Sequence, residues 1–161
     1  MTEIITGKTK IYCIIGYPAE HSFSPRMHNA VFAALNMDAR FVAFSVKPDQ
    51  LGEALTGLKA LNVAGFNVTV PHKSSVIPYL DEITPLAKKI GAVNTIRNEQ
   101  GLLIGTNTDI PGFIRSLGSL NFSPENKSIA LLGAGGAARA LVAGLANAGA
   151  SRILIHNRTA E

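Results

Sequence analysis

The stretch VAGFNVTVPHK, residues Val63–Lys73, decides how the first half of the chain is expected to fold. Its apolar and β-branched residues predict a buried strand. The strand should end at Pro71, because proline has no N–H group to donate to a sheet. Ligands bind beyond the carboxyl ends of strands in open α/β sheets, so Asn67, Thr69 and Lys73 would offer an amide, a hydroxyl and an ammonium group there. The same residues also fit a strand followed by an ordinary surface lysine.

Alternating strands and helices surround this stretch. An apolar run at residues 11–16 and a second strand at Arg40–Val46 come before it, and each is followed by a helical pattern. Strands that alternate with helices are typical of a largely parallel sheet. Two short strands about a polar turn within Gly91–Phe113 then predict a hairpin. We therefore expect an α/β domain with an open, mostly parallel sheet over residues 1–120.

Two segments next to these strands carry candidate ligand groups. In YPAEHSFSP, Ser24 before Pro25 fits the N-cap of a helix, which is a structural role, whereas Ser22 lacks that explanation. Two hydroxyl groups beside a helix N-terminus also suit a bound carboxylate. Asn94 is expected in the first hairpin strand, and Asp109 follows the second, where it fits the N-cap of a helix.

The chain changes character after a polar segment at Ser119–Ser128. An apolar strand, a glycine turn, an alanine-rich helix and a second apolar strand follow, and both strands are expected to be buried. Gly133, Gly135 and Ala138 fit the GxGxxG/A pattern, in which the glycines permit a tight turn and the close approach of a pyrophosphate. Residues 121–161 therefore predict the first β-α-β unit of a Rossmann-type nucleotide-binding domain rather than a purely structural glycine turn.

The residues after the last strand bear on which dinucleotide binds. An NAD site usually places an acidic residue there, whereas this chain has Asn157, Arg158 and Thr159. A guanidinium group can pair with a 2′-phosphate, so NADP is favoured as the cofactor. An ordinary surface arginine is the alternative.

Composition and charge exclude several classes of protein. The formal net charge is +4, but the basic residues are scattered, so no nucleic-acid partner is expected. The four histidines lack metal-ligand spacing, and no metal site is predicted. Cys13 is the single cysteine, and we expect it to be a buried strand residue. Because we find neither a signal peptide nor a long uninterrupted apolar window, we expect a soluble cytoplasmic protein without a membrane partner.

With these motifs in hand, the chain resembles the shikimate dehydrogenase family. The resemblance rests on motifs in one order: GYPAEHSFSPRMHN (Gly16–Asn29), NVTVPHK (Asn67–Lys73), GAVNT with GTNTD (Gly91–Asp109), GAGGAARA (Gly133–Ala140) and NRT (Asn157–Thr159). It implies a two-domain α/β enzyme that interconverts 3-dehydroshikimate and shikimate with NADP(H), in aromatic amino-acid biosynthesis. Its partners would be these small molecules, and a homodimer is left open.

The resemblance also implies roles for individual residues. Lys73 and Asp109 would form the catalytic pair. The substrate would be bound by Ser22, Ser24, Asn67, Thr69, Lys73, Asn94 and Asp109, and the cofactor by Gly133, Ala134, Gly135, Gly136, Ala137, Asn157, Arg158 and Thr159. Ketone reduction builds negative charge on oxygen, so a fixed cation that also donates a proton suits the reaction.

Length is the one departure from the family pattern. The family's nucleotide domain has further strands and a closing helix, whereas this sequence ends at Glu161, so we expect a truncated cofactor half. Two other functions stay open: a quinate/shikimate dehydrogenase of broader specificity, and a non-catalytic shikimate-binding module. The lysine and aspartate pair disfavours a binding module, whereas the incomplete cofactor half favours it.

Overall fold

The structure is a computed structural model that describes residues 5–134 and 136–158. The contacts within the chain divide it into two compact units. The first unit comprises the residues up to Thr84 together with Val93–Thr106, and the second comprises Pro85–Ala92 and the residues from Asn107 onward. No helix in the described ranges combines the length and the apolar character that crossing a bilayer requires.

The strands and helices of the described ranges follow one another largely as the sequence predicts. In chain order they are β1 Lys10–Gly16, α1 Ser24–Ala34, β2 Ala39–Ser45, α2 Leu51–Ala60, β3 Gly65–Val68, β4 Glu82–Ile83, α3 Pro85–Ile90, β5 Thr95–Glu99, β6 Leu102–Thr106, α4 Asp109–Ser119, β7 Ser128–Leu132, α5 Gly136–Asn147 and β8 Arg152–His156. Short 3₁₀ turns lie at Pro48–Gln50 and Ile77–Tyr79.

The first unit is built on a six-stranded sheet with the strand order β2-β1-β3-β5-β6-β4. Strand β1 pairs in parallel with both β2 and β3. Strand β5 is antiparallel to β3 and to β6, whereas β4 is parallel to β6. All strands except β5 therefore run in one direction, which confirms the predicted mostly parallel α/β sheet.

The core of the first unit lies on both faces of β1. Cys13 and Ile15 are fully buried, as the apolar run predicts. Burial raises the pKa of the Cys13 thiol to about 12, so this thiol stays protonated and behaves as a small apolar residue. On the other face, Phe32 of α1 packs with Ile14 and Phe41. The sheet is therefore held by side chains that alternate between its faces.

The predicted hairpin forms from β5 and β6, which are joined by Gln100 and Gly101. The φ angles of these two residues are 54° and 91°. Tight two-residue hairpin turns need positive φ at such positions, which glycine adopts without strain. The Asn98 side chain adds support, because its Oδ1 accepts the Gly101 N–H at 2.9 Å.

In the second unit, β7 and β8 pair in parallel from Ser128 with Arg152 to Leu132 with His156, and α5 connects them. This confirms the predicted β-α-β unit. The expectation that both strands are buried is wrong, since Leu132 is 88% exposed and Leu154 is 48% exposed. Both members of a two-stranded sheet are edge strands, so each has a neighbour on one side alone.

Helix α4 packs against α5 within the second unit. Gly144 of α5 lies at this contact, where an added Cβ atom would stand 2.6 Å from Cγ2 of Ile110. The absence of a side chain therefore lets the two helices approach closely. The predicted domain boundary between residues 120 and 121 stays a prediction, although α4, which precedes that point, packs with α5, which follows it.

Replacing Gly16 by alanine should destabilise the first unit, because an added Cβ atom would overlap Cγ2 of Thr69. We expect a loss of about 1–3 kcal/mol in the free energy of unfolding, measured by urea denaturation. Gly57→Ala in α2 is the matched control, since a Cβ atom there would meet no described atom within 4 Å. That control should gain up to about 1 kcal/mol, because alanine favours helix more than glycine does. Equal effects of the two substitutions would contradict the close approach at Gly16.

Candidate active site

The predicted substrate-binding residues of the first unit gather at one edge of its sheet. The loop that carries Ser22, called the serine loop, follows β1, and the loop that carries Lys73, called the lysine loop, follows β3. Asn94 lies immediately before β5 rather than within it, and because β5 runs antiparallel to β3, its start meets the end of β3. Ligands bind at this carboxyl edge of parallel strands. The residues concerned are Ser22, Ser24, Asn67, Thr69, Lys73 and Asn94.

Backbone hydrogen bonds join β1 to the chain beyond the end of β3. The Thr69 N–H donates to the Ile15 carbonyl oxygen at 2.9 Å, and the Tyr17 N–H donates to the Val70 carbonyl oxygen at 3.0 Å. Pairing thus continues to the residue before Pro71 and stops there, as the missing N–H of proline predicts. This places Thr69 directly against the end of β1.

The backbone around Lys73 is anchored at two points. The Lys73 carbonyl oxygen accepts the Val93 N–H at 2.8 Å. The preceding residue, His72, is 1% exposed, and its Nε2 lies 2.7 Å from the Val46 carbonyl oxygen. A carbonyl oxygen only accepts hydrogen bonds, so Nε2 must carry the proton. His72 is therefore a structural anchor that the sequence did not reveal, since its partner is far away along the chain.

The serine loop is anchored by the end of β2. The Ala19 N–H donates to Oγ of Ser45 at 2.9 Å, and the Ser45 hydroxyl donates to Oε1 of Glu20 at 2.7 Å. The pKa of the Glu20 carboxyl is lowered, chiefly by this hydrogen bond from Ser45. A lowered pKa keeps the carboxylate charged and ready to accept. The two contacts hold the loop shortly before its serines.

The structural roles of the two serines differ from those predicted. Helix α1 begins at Ser24 itself, and the N-cap position is Phe23, so the N-cap predicted at Ser24 is wrong by one residue. Ser22 has a structural role after all, because its Oγ accepts the Ser24 N–H at 3.2 Å. Such a bond leaves the hydroxyl proton of Ser22 able to donate elsewhere. Both side chains are half-buried at the start of α1.

Asn67 contacts Asn94 directly, and Thr95 forms a bridge between their side chains. Nδ2 of Asn67 lies 3.2 Å from the Asn94 carbonyl oxygen and 3.1 Å from Oγ1 of Thr95. The Thr95 hydroxyl in turn lies 3.1 Å from Oδ1 of Asn94. Asn67 and Thr95 are paired across β3 and β5, which explains the contact. Thr95 was missed by sequence reasoning, because the strand register is needed to place it.

Asp109 lies in the second unit, where α4 begins. The N-cap of α4 is Thr108, so the N-cap role predicted for Asp109 is wrong; its carboxylate lies in the first turn, which the helix dipole favours. Asn107 supports this turn, because its Oδ1 accepts the Asp109 N–H at 3.0 Å and its Nδ2 donates to the Ala92 carbonyl oxygen at 3.1 Å. Asn107 is 2% exposed and was also missed, although an asparagine two residues before a helix is a known signal. The predicted pairing of Asp109 with Lys73 would join the two units and stays a prediction.

A cavity of about 430 Å³ opens on the sheet face beside α1. Its walls include Tyr12, His28 and Phe41, and the His28 ring stacks on Phe41 with ring centres 4.2 Å apart. Burial lowers the pKa of His28, which favours the neutral ring in this apolar wall. Asn67 and Thr95 also line the cavity, so it reaches the polar cluster described above.

The glycine loop of the second unit follows β7. Gly133 has a φ of 106°, which residues with a side chain rarely adopt. Its N–H donates to the His156 carbonyl oxygen at 2.7 Å. An added Cβ atom there would meet no described atom within 4 Å, so the turn faces open space. Ala134 is exposed, and Gly136 begins helix α5, whose N-terminus suits a phosphate.

The remaining predicted cofactor residues follow these elements. Ala137 lies in the first turn of α5. Asn157 and Arg158 follow β8 and are exposed. Gly135 and Thr159 lie outside the described residues. Within residues 5–134 and 136–158, no group of three or more His, Cys, Asp and Glu side chains is placed to hold a metal ion.

Comparison with known proteins shows which family these motifs represent. Residues 14–96 match the shikimate dehydrogenase substrate binding domain. The chain belongs to the shikimate dehydrogenase family. A relative from Geobacter metallireducens, named shikimate dehydrogenase (NADP(+)), is 53% identical over 156 residues, which are 96% of this chain and 54% of the relative. A relative of the same name from Bacillus cereus is 56% identical over 153 residues, 94% of this chain and 55% of the relative. The chain thus spans about half the length of the curated relatives it matches.

Solved structures of the family share this fold. The shikimate dehydrogenase of Aquifex aeolicus matches with a TM-score of 0.94 and 46% identity, over 97% of this chain and 58% of that chain. A shikimate 5-dehydrogenase of Listeria monocytogenes, in complex with shikimate and NAD, matches with a TM-score of 0.93 and 40% identity, over 100% and 56%. The 5-ketofructose reductase of a Gluconobacter species matches with a TM-score of 0.88 and 40% identity, over 96% and 56%. The fold therefore accommodates more than one substrate.

Removing the Ser45 hydroxyl should raise the pKa of Glu20 toward its ordinary value. A lowered pKa stabilises the fold above the ordinary carboxyl range, and that stabilisation is lost as the pH falls through the folded-state pKa. In Ser45→Ala, the free energy of unfolding should therefore decrease less as the pH is lowered. NMR titration of the Glu20 carboxyl should show the change in its pKa directly. Asp81 is the internal control, because its pKa is lowered by the Leu103 N–H and by Lys59. A Glu20 pKa that stayed unchanged in Ser45→Ala would refute the assigned cause.

Proposed function

We propose that this chain forms the substrate-binding part of an NADP-dependent shikimate dehydrogenase, which interconverts 3-dehydroshikimate and shikimate in aromatic amino-acid biosynthesis. The observation that carries this proposal is the position of Lys73, anchored just past β3 through its own carbonyl group and through His72. The names of the curated relatives support the substrate and the cofactor. The proposal extends to a cytoplasmic location and to a homodimer.

In the proposed reduction, negative charge develops on the substrate carbonyl oxygen as hydride reaches the carbon. The Lys73 ammonium group stabilises this charge and donates the proton that completes the alcohol. In the reverse direction the neutral amine accepts the same proton. Asp109 is the second member of the proposed catalytic pair.

Substrate binding uses the remaining groups at the sheet edge. The substrate carboxylate is bound by Ser22 and Ser24 at the start of α1, where backbone N–H groups also favour an anion. The Ser22 hydroxyl keeps its proton for this purpose, because its oxygen accepts the Ser24 N–H. Asn67, Thr69 and Asn94 bind the ring hydroxyls.

The cofactor NADP(H) would supply the hydride. The glycine loop fits it, because the position where a Cβ of Gly133 would stand is open to space and helix α5 begins three residues later. Gly135 and Ala137 belong to the same proposed site. Asn157, Arg158 and Thr159 would select the 2′-phosphate, with Arg158 as the charged partner.

A non-catalytic shikimate-binding module is the second candidate function. The observation that favours it is the match of residues 14–96 to a substrate binding domain. Separate titrations of shikimate and NADP into this chain distinguish the two functions, since a binding module takes up the acid and ignores the nucleotide. The third candidate is a quinate/shikimate dehydrogenase of broader specificity, and adding quinate to the same titrations tests it.

Lys73→Met should lower turnover of shikimate by about 100-fold or more, since general acid–base groups contribute at least that much. Turnover is measured in a chimera that joins this chain to the remaining length of the Geobacter metallireducens relative. Lys88→Met, which removes an exposed lysine of α3, is the matched control and should retain full activity. A loss of less than tenfold in Lys73→Met would rule out the central role of this lysine.

Arg158→Ala should weaken NADP binding by about tenfold, which corresponds to about 1.4 kcal/mol, and leave NAD binding unchanged. The reason is that the proposed guanidinium contact is made to the 2′-phosphate, which NAD lacks. Isothermal calorimetry on the same chimera measures both affinities. Arg115→Ala on α4 is the control, because it removes another exposed arginine that is far along the chain. If Arg158→Ala weakened the binding of NADP and of NAD equally, Arg158 would have no part in selecting the cofactor.

A further inference from the structure

We propose that the outer face of helix α1 is the surface through which two copies of this chain associate. The inference gives the homodimer of the proposed function its contact surface, and it rests on that part of the proposed function alone. The outer face consists of six exposed apolar residues, Phe23, Met27, Ala30, Val31, Ala34 and Leu35.

Helix α1 is apolar on two opposite sides. Phe32 packs against β1 and β2 in the core, and the outer face lies about half a turn away around the helix. Arg26 is the one residue of α1 that carries a formal charge at pH 7. A surface helix normally has polar residues opposite its apolar stripe, and a helix that is apolar all round is buried. Helix α2 follows the normal pattern, since Glu53, Thr56 and Lys59 are exposed on it.

The area of the outer face fits a weak dimer. Phe23 is 78% exposed, Met27 57%, Val31 47% and Leu35 64%. Aromatic side chains bury about 150–250 Å² and aliphatic ones somewhat less, so these fractions correspond to an apolar patch of roughly 400–500 Å². Monomeric proteins rarely expose a larger contiguous patch. Two copies that meet through it would bury about 1,000 Å² in total, which is the lower limit for a specific interface.

The shape of the outer face fits a second copy of itself. Met27, Val31 and Leu35 form a row of large side chains at every fourth position, and beside it Ala30 and Ala34 form a row of small ones. Rows with this spacing are the ridges and grooves through which helices pack, so the ridge of one copy can enter the groove of the other. Such a two-fold contact uses the same face twice and is therefore closed.

Charge favours an antiparallel arrangement of the two helices. Arg26 lies in the first turn of α1, which has no acidic residue, and the last turn has no basic residue. In an antiparallel pair, Arg26 of one copy approaches the C-terminal end of the other helix, where a positive charge is favourable. Ala30 lies near the middle of α1, so the two copies of this residue would meet close to the two-fold axis.

The neighbouring edge of the sheet is a less suitable surface for association. Strand β2 is an edge strand, and such a strand can pair with another chain. At Phe41, however, the Asn29 side chain donates to the carbonyl oxygen at 2.8 Å and accepts the N–H at 2.9 Å. The Ala39 N–H donates to the Met37 carbonyl oxygen, and the Ala39 carbonyl oxygen accepts Nη1 of Arg40. The chain thus satisfies these edge groups itself, which favours association through the helix face.

Sedimentation equilibrium of this chain tests the association. The parent chain should form a reversible dimer at micromolar concentrations. In the double variant Met27→Glu with Val31→Glu, the dissociation constant should rise by about 100-fold or more, because each copy brings two carboxylates into the contact and like charges that face each other repel. Both positions are exposed and glutamate favours helix, so the thermal unfolding of the monomer should not fall. Leu61→Glu is the matched control, since Leu61 is also 78% exposed and should leave the dimer unchanged.

The exposed strand β8 offers a competing apolar surface, and Leu154→Glu tests it. Loss of the dimer in Leu154→Glu, together with its retention in the double variant on α1, would overturn the inference. A parent chain that stays monomeric at every concentration would also overturn it, and the outer face would then belong to another occupant, such as the remainder of a longer chain.

Crosslinking with a short bismaleimide tests the geometry through Ala30→Cys. The native Cys13 does not compete, because it is fully buried and its thiol stays protonated. Ala30→Cys should be crosslinked to a dimer, whereas Ala60→Cys, at a matched exposed alanine of α2, should stay monomeric. Equal crosslinking of the two variants would overturn the inference. None of these measurements uses a substrate or a cofactor, so a failed dimer leaves the proposed enzyme activity standing.

Discussion

The parallel pairing of β1 with β3 is the constraint on which the candidate site depends. It extends past β3 through the bonds of Thr69 with Ile15 and of Tyr17 with Val70. The two strand ends can approach this closely because Gly16 has no side chain to overlap Thr69. Both loops therefore leave the sheet at the same edge. Backbone hydrogen bonds, rather than the polar side chains that a ligand would contact, set the separation of the two loops.

The end of β2 anchors both of these loops. The hydroxyl oxygen of Ser45, the last residue of β2, accepts the Ala19 N–H of the serine loop. The carbonyl oxygen of the next residue, Val46, accepts a hydrogen bond from the His72 ring of the lysine loop. The parallel strands β1, β2 and β3 thus fix the positions of both loops. Groups that are held in place before a ligand arrives need little reorganisation during reaction, which is the main source of electrostatic stabilisation in enzymes. For the proposed reaction, the anchoring of Lys73 therefore matters as much as its charge.

Backbone elements could be predicted from the sequence better than the roles of side chains. Pro71 marks the point where the backbone pairing beyond β3 stops, because its missing N–H acts locally. Ser24 and Asp109 were each misplaced, since a cap depends on a helix boundary that shifts by a single residue. The partners of His72 and Thr95 come from other strands, so the register of the sheet is needed to find them. The exposure of β7 and β8 depends on how many strands lie beside them, which an apolar pattern does not encode.

The polarity at Asn67 also bears on the proposed ketone reduction. Interconversion of a ketone and an alcohol changes one oxygen from a pure acceptor to a group that both donates and accepts. Asn67, with both amide protons engaged, offers an acceptor and would repel a ketone oxygen. In the proposed reaction the reacting oxygen must therefore lie against a donor, and Lys73 carries a donor group at the same edge of the sheet. Under that proposal, the side chain of Asn67 would disfavour a ketone oxygen because one backbone carbonyl group, that of Asn94, sets its orientation, and the Val68 N–H holds that carbonyl in place.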